Sequence, residues 1–84
     1  MFTVFSKGET CQYCVKAKRL LEKAGYTYRE EIIGIHILRE EFIDRFPDQK
    51  TVPLVYDGTD KVGTYEDLVE YIAKKGPAPE LILG

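Results

Sequence analysis

Two cysteines three residues apart, Cys11 and Cys14, stand where a short apolar run gives way to a helical pattern, and this junction constrains the fold more than any other feature of the chain. Ahead of it, Phe2-Thr3-Val4-Phe5 is apolar and β-favouring and is followed by the turn-like Ser6-Lys7-Gly8, which predicts a first strand over residues 2–5. Beyond it, Cys14, Ala17, Leu20, Leu21 and Ala24 recur at helical spacing with charged residues between them, and Gly25 is a natural stop. That predicts a helix over 12–24. The cysteines therefore sit where a loop feeds a helix N-terminus, beside unpaired backbone N–H groups and the positive end of the helix dipole.

The rest of the chain continues the alternation of strand and helix. Residues 26–33, from Tyr26 to Ile33, are rich in aromatic and branched side chains and predict a second strand ended by Gly34. Ile35, Leu38, Phe42 and Phe46, with Ile43 beside them, predict a second helix from His36 to Phe46, stopped by Pro47, with Leu38, Phe42 and Phe46 on its buried face. Residues 52–56 and Lys61-Val62 flank Asp57-Gly58-Thr59-Asp60, the pattern of an antiparallel hairpin. Pro53, early in that strand, is allowed only where its missing N–H is not needed by a neighbour. Thr64 opens a third helix over 65–75 with Tyr65, Leu68, Val69 and Ile72 as its stripe, and Gly76-Pro77-Ala78-Pro79 ends it. Leu81-Ile82-Leu83 is too apolar to hang in water and is expected to dock as a short turn or helix. The order β-α-β-α-β-β-α, with a right-handed crossover joining the first two strands, predicts an α/β fold: a mixed four-stranded sheet with helices on both faces.

Composition sets the outer bounds. The chain's 84 residues fit a single domain, 1–84, and an apolar share of 44% with 31% charged side chains is ordinary for a globular protein. A net charge of -2 offers no general attraction to nucleic acid or to an anionic membrane, so neither is expected as a partner. Residues 1–29 are nonetheless electropositive, with six basic side chains against Glu9 and Glu22; most are read as solvated lysines and arginines on an open helix face. The N-terminus carries no basic cluster followed by a long apolar core, and no run reaches the roughly 18 apolar residues of a membrane span. The expected compartment is the cytoplasm, where close cysteines are more often catalytic or metal-binding than structural.

The placement favours redox chemistry. A thiol at a helix N-terminus ionises readily, and the thiolate is the nucleophile. Cys14 follows almost one turn later, so the two sulfurs meet on one side of the helix, Cys11 outward as nucleophile and Cys14 beneath it as resolving thiol. Zinc needs about four ligands, and the chain offers two cysteines and His36. A structural bridge over so short a loop adds little stability. His36, the one histidine, is read as a surface or capping residue, and the five tyrosines other than Tyr13 as core and strand packing.

Thr10-Cys11-Gln12-Tyr13-Cys14, Thr51-Val52-Pro53 and Gly63-Thr64-Tyr65-Glu66-Asp67-Leu68, in this order and spacing, together resemble the glutaredoxin family over nearly the whole chain. The resemblance implies a thioredoxin-like fold, glutathione as co-substrate with no permanently bound cofactor, and disulfide-containing or glutathionylated proteins as partners, ribonucleotide reductase among them, acted on by a monomer. It implies that Tyr13 flanks the tripeptide, and that Val52, set by a cis-Pro53 beside Thr51, pairs its backbone with the cysteinyl part like an added strand. Lys7, with Gln49 or Lys50, would hold the glycine carboxylate. The first N–H groups of the third helix, near Tyr65 and Glu66 after Gly63 and Thr64, would hold the γ-glutamyl carboxylate. Asp67 would take the ammonium group, or serve with Thr64 simply as a helix cap.

Two residues depart from the family pattern. Gln12 replaces the proline common between the cysteines, freeing a backbone N–H and loosening the turn. Thr64 replaces the second glycine of a usual pair, adding a side chain where a ligand would approach. Some relatives without the motif proline are [2Fe-2S] carriers, ligated by one cysteine from each of two chains and by two glutathiones, and this is one alternative reading. The other is a redoxin served by thioredoxin reductase.

Overall fold

A computed structural model of the chain describes residues 1–78; the apolar tail at 81–83 lies outside the described residues. The chain forms β1 (Phe2–Ser6), α1 (Gln12–Lys23), β2 (Tyr28–Ile32), α2 (Arg39–Arg45), β3 (Leu54–Asp57), β4 (Asp60–Gly63) and α3 (Tyr65–Lys75). The four strands make one sheet in the order β2-β1-β3-β4. β1 runs parallel to β2 from Phe2↔Tyr28 to Ser6↔Ile32 and antiparallel to β3 from Phe2↔Asp57 to Phe5↔Leu54, while β3 and β4 form the antiparallel hairpin. This is the predicted mixed sheet.

Strand alternation sends the apolar side chains of β1 to both faces. Phe2 and Val4 join Val55, Ala17 and Leu21 of α1, and Leu68 and Ile72 of α3 in the larger core. Phe5 and Leu54 face the other way, against Ile37 and Phe42, with Phe46 and Tyr56 packed on them. Helices therefore cover both faces, α1 and α3 on one and α2 on the other. The tyrosines other than Tyr13 pack against these two clusters, as anticipated. Tyr26 and Tyr71 also spend their hydroxyls on Gly76 O (2.7 Å) and on Asp57 Oδ2 (2.6 Å). Donation to Asp57, together with burial and that carboxylate's charge, pushes the Tyr71 phenol up to about 12.

The second helix differs from its sequence pattern. Instead of running from His36, it begins at Arg39, and residues 34–37 fold into a turn over the end of β2. Gly34, at φ +95°, makes the turn, and the N–H groups of Ile35 and His36 donate to Ile32 O at 3.0 and 2.8 Å. His36 Nδ1 accepts from Ile32 N–H at 2.9 Å, so the histidine braces the turn rather than starting a helix. Gly34 N–H closes the turn on Ile37 O at 2.7 Å, and the helical ladder starts only with Phe42 N–H on Leu38 O at 3.0 Å. The buried side chain becomes Ile37, 6% exposed, and the predicted Leu38 is 63% exposed. Ile35 likewise points outward. A smaller difference affects α3, where Val69 lies outside the stripe and Tyr71 is half-buried in its place.

Both ends of α3 are tied by local chemistry. Thr64 is the N-cap, and Asp67 Oδ2 accepts from Thr64 N–H at 2.9 Å and from Thr64 Oγ1 at 3.0 Å. These two bonds hold the Asp67 carboxyl below its usual range. Gly76, at φ +82°, ends the helix with its N–H on Ile72 O.

Leu21→Ala, in the fully buried core, is expected to cost about 2–5 kcal/mol in urea unfolding, while Leu38→Ala stays within about 0.5 kcal/mol of the parent. A helix running from His36 would make both costly. Asp67→Ala removes half of the cap and is expected to cost roughly 1 kcal/mol at neutral pH. The folded pKa of Asp67 lies below its unfolded value of 3.8, so this contribution is complete above that value and is lost as pH falls through the folded one. Parent and variant should therefore converge in stability in strong acid.

Candidate active site

Cys11 is the N-cap of α1, its backbone extended at φ -98° and ψ 107°. Its Sγ accepts from Cys14 N–H at 3.2 Å, one of the donors that a helix start leaves without a backbone partner. The first turn of α1 carries no acidic side chain, so no carboxylate there opposes a negative sulfur. Cys11 is partly exposed and Cys14 fully buried. The two are joined as a disulfide with Cα atoms 5.2 Å apart, which gives the outward and inward sulfurs the spacing anticipated for them.

Facing Cys11 is the turn before β3. The Val52-Pro53 peptide bond is cis, as the resemblance implied, and Cys11 Sγ lies 4.0 Å from Val52 O. Beside them opens a groove of about 430 Å³ lined by Lys7, Ile33, Arg39, Phe42, Ile43, Gln49, Lys50, Thr51 and Val52. Five of the candidate residues, Lys7 and 49–52, thus meet in one place, although Gln49 Nε2 is already donated to Thr51 O at 2.8 Å. The groove wall contains three cations and no carboxylate. The sequence does not single out Arg39, because the helix predicted over 36–46 puts it in the interior; as the first residue of α2 it lines the groove. Its signal would have been a basic residue at a helix start, which runs against the usual dipole preference.

The remaining candidates gather at the start of α3. The Tyr13 ring, half exposed, lies 5.7 Å from the Tyr65 ring, and Lys16 Nζ sits 5.1 Å over its centroid. That contact joins the first turns of α1 and α3. Thr64 and Asp67 form the cap described above, and Gly63, buried at φ +119°, is required by it, since a Cβ there would collide with the Asp67 carboxylate. Glu66 reaches Thr64 Oγ1 at 3.3 Å. Among the described residues no three His, Cys, Asp or Glu side chains are grouped as a metal site would need.

The arrangement is a partly exposed sulfur on a helix N-terminus, a buried partner sulfur and a cationic groove beside them. The glutaredoxin family model matches residues 2–61. Glutaredoxin 3 of Escherichia coli (strain K12) is 38% identical over 74 residues, covering 87% of this chain and 88% of its own. Among solved structures, glutaredoxin 1 from Francisella tularensis complexed with cacodylate superposes with a TM-score of 0.72 at 25% identity, covering 88% of this chain and 92% of that one. A buckwheat glutaredoxin-glutathione complex gives 0.67 at 25% identity over 88% of this chain and 69% of that one. With its paired cysteines on the thioredoxin-like frame, the chain belongs to the glutaredoxin family and is a thiol-disulfide oxidoreductase.

Proposed function

We propose that this oxidoreductase is glutathione-dependent and reduces both protein disulfides and protein-glutathione mixed disulfides. The observation that carries the reading is the unequal exposure of the two sulfurs: Cys11 is open at the helix start and Cys14 is sealed beneath it. Only Cys11 is reachable for attack from outside. Its thiolate attacks the glutathione sulfur of a mixed disulfide, forming a Cys11-glutathione disulfide and expelling the protein thiolate, which takes a proton from water. A second glutathione thiolate attacks the bound glutathione sulfur and releases Cys11 together with oxidised glutathione. With a protein disulfide, Cys11 forms the mixed disulfide and Cys14 attacks the Cys11 sulfur, expelling the reduced product and leaving the internal disulfide for two glutathiones.

Binding follows the groove and the helix starts. Lys7, Lys50 and Arg39 attract the glycine carboxylate, with Gln49 beside them, and the Val52 backbone next to Thr51 and cis-Pro53 pairs with the cysteinyl unit. Tyr13 flanks the tripeptide. The N–H groups of Tyr65 and Glu66 receive the γ-glutamyl carboxylate, and Asp67, charged and already oriented by Thr64, receives the ammonium group. The buckwheat neighbour, a glutathione complex, supports glutathione as the ligand. The protein acts as a single-domain monomer in the cytoplasm, with ribonucleotide reductase among its target candidates.

Turnover measured in parallel with glutathione plus glutathione reductase and with thioredoxin reductase tests the reading. Glutathione is expected to support it and thioredoxin reductase to do little; the reverse ranking would refute glutathione dependence. Cys11→Ser should abolish both reactions. Cys14→Ser should keep the mixed-disulfide reaction and lose the protein-disulfide one. Arg39→Ala should raise the KM for glutathionylated substrate several-fold with kcat little changed.

A further inference from the structure

Beneath the loop that carries Cys11 lies a polar cluster that the reaction above does not use. Ser6, at the end of β1, is fully buried, and Lys18, on the inner face of α1, is 9% exposed. Lys18 Nζ stands 3.0 Å from Glu30 Oε2 on β2 and 3.7 Å from Glu9 Oε1 in the loop. Ser6 Oγ donates to the same Glu30 oxygen at 2.6 Å and accepts from Gly8 N–H at 3.1 Å. A hydroxyl has one proton, so giving it to Glu30 turns the oxygen lone pairs toward Gly8. Gly8 O then accepts from Cys11 N–H at 3.3 Å. An unbroken series of bonds thus runs from Glu30 through Ser6 and Gly8 to the backbone of the nucleophile.

Stability alone does not account for charges in this place, because an apolar pair of similar volume commonly serves as well or better. Their direction suggests another use. Side chains on a helix lean toward its N-terminus, so Lys18, two turns after Cys11, extends back toward the loop, where it meets Glu9. Glu30 faces Lys18 from α1, Ser6 from β1, Glu9 through the shared lysine, and His36 from the turn after β2. Burial pushes the Glu30 carboxyl up, but the Ser6 hydroxyl and Lys18 outweigh it and keep it ionised.

We infer that Lys18 and Glu30 form a positioning pair for Cys11: the carboxylate orients Ser6 and through it the loop, and the ammonium group cancels the carboxylate's charge so that the sulfur keeps the full field of the helix start. The inference rests on Cys11 being the nucleophile. It makes the two partners act with opposite sign on one sulfur, which a merely structural ion pair would not do.

Thiolate absorbance of the reduced protein, titrated against pH, tests it together with the pH profile of turnover. Lys18→Met keeps the stem and leaves the carboxylate uncompensated, so the Cys11 midpoint should rise by roughly 0.5–1 pH unit. Glu30→Gln keeps an acceptor for Ser6 and leaves the ammonium with only the exposed Glu9 at 3.7 Å, so the midpoint should fall, by somewhat less than the rise in Lys18→Met. The double variant should return close to the parent. Below the midpoint, turnover should change in step with the thiolate fraction, by about three- to tenfold. Single variants that shift the midpoint in the same direction, or not at all while only stability drops, overturn the inference. If one variant fails to fold, the sign of the other decides. Turnover that survives Cys11→Ser would instead refute the proposed nucleophile, and the two failures are distinct.

Discussion

The double-sided pairing of β1 is the constraint from which the other parts take their places. Its register is pinned because Phe2 and Val4 must face one core and Phe5 the other, and a one-residue slip would exchange them. On one side the register sets Phe5 opposite Leu54, which brings Val52-Pro53, just ahead of β3, to the mouth of the loop where Cys11 begins its helix. On the other it sets Val4 opposite Glu30 and Ser6 opposite Ile32, so that a carboxylate lies under that loop. The site is therefore assembled at the end of a strand that cannot slide.

At that end, backbone groups supply most of the chemistry. The start of α1 gives the Cys14 N–H to sulfur, and under the proposed function the start of α3 gives its own to a carboxylate. Side chains add cations along one groove, an aromatic pair bridging the two helix starts, and an aspartate held by its own cap. The same bonds that stabilise α3 keep Asp67 ionised and oriented.

Much of this was legible in sequence. Strands and helices whose apolar period was unbroken, α1 and α3 above all, fell within a residue or two of their predicted bounds, because a regular stripe has only one way to face a core. The cysteine pair and its strand-loop-helix setting were equally plain. The stretch 33–38 was not, since Ile, His and Leu at near-helical spacing fit a helix until Gly34 turns the chain and the His36 ring accepts the Ile32 N–H. Lys18 was hidden for a related reason: a lysine reads as solvated, and only the distant Glu30 makes its burial tolerable.

The sequence alone determined the order of elements, the redox pair, the helix start beneath Cys11 and the cap at Thr64, all of which depend on residues a few positions apart. Tertiary structure decided what depends on residues tens of positions apart: the groove that adds Arg39 to Lys7 and Lys50, the approach of Val52 to Cys11, and the buried bond from Lys18 to Glu30. Local propensity and periodicity are encoded in neighbouring side chains, whereas the pairing of far charges and cavities is set only when sheet register and helix packing bring them into one place.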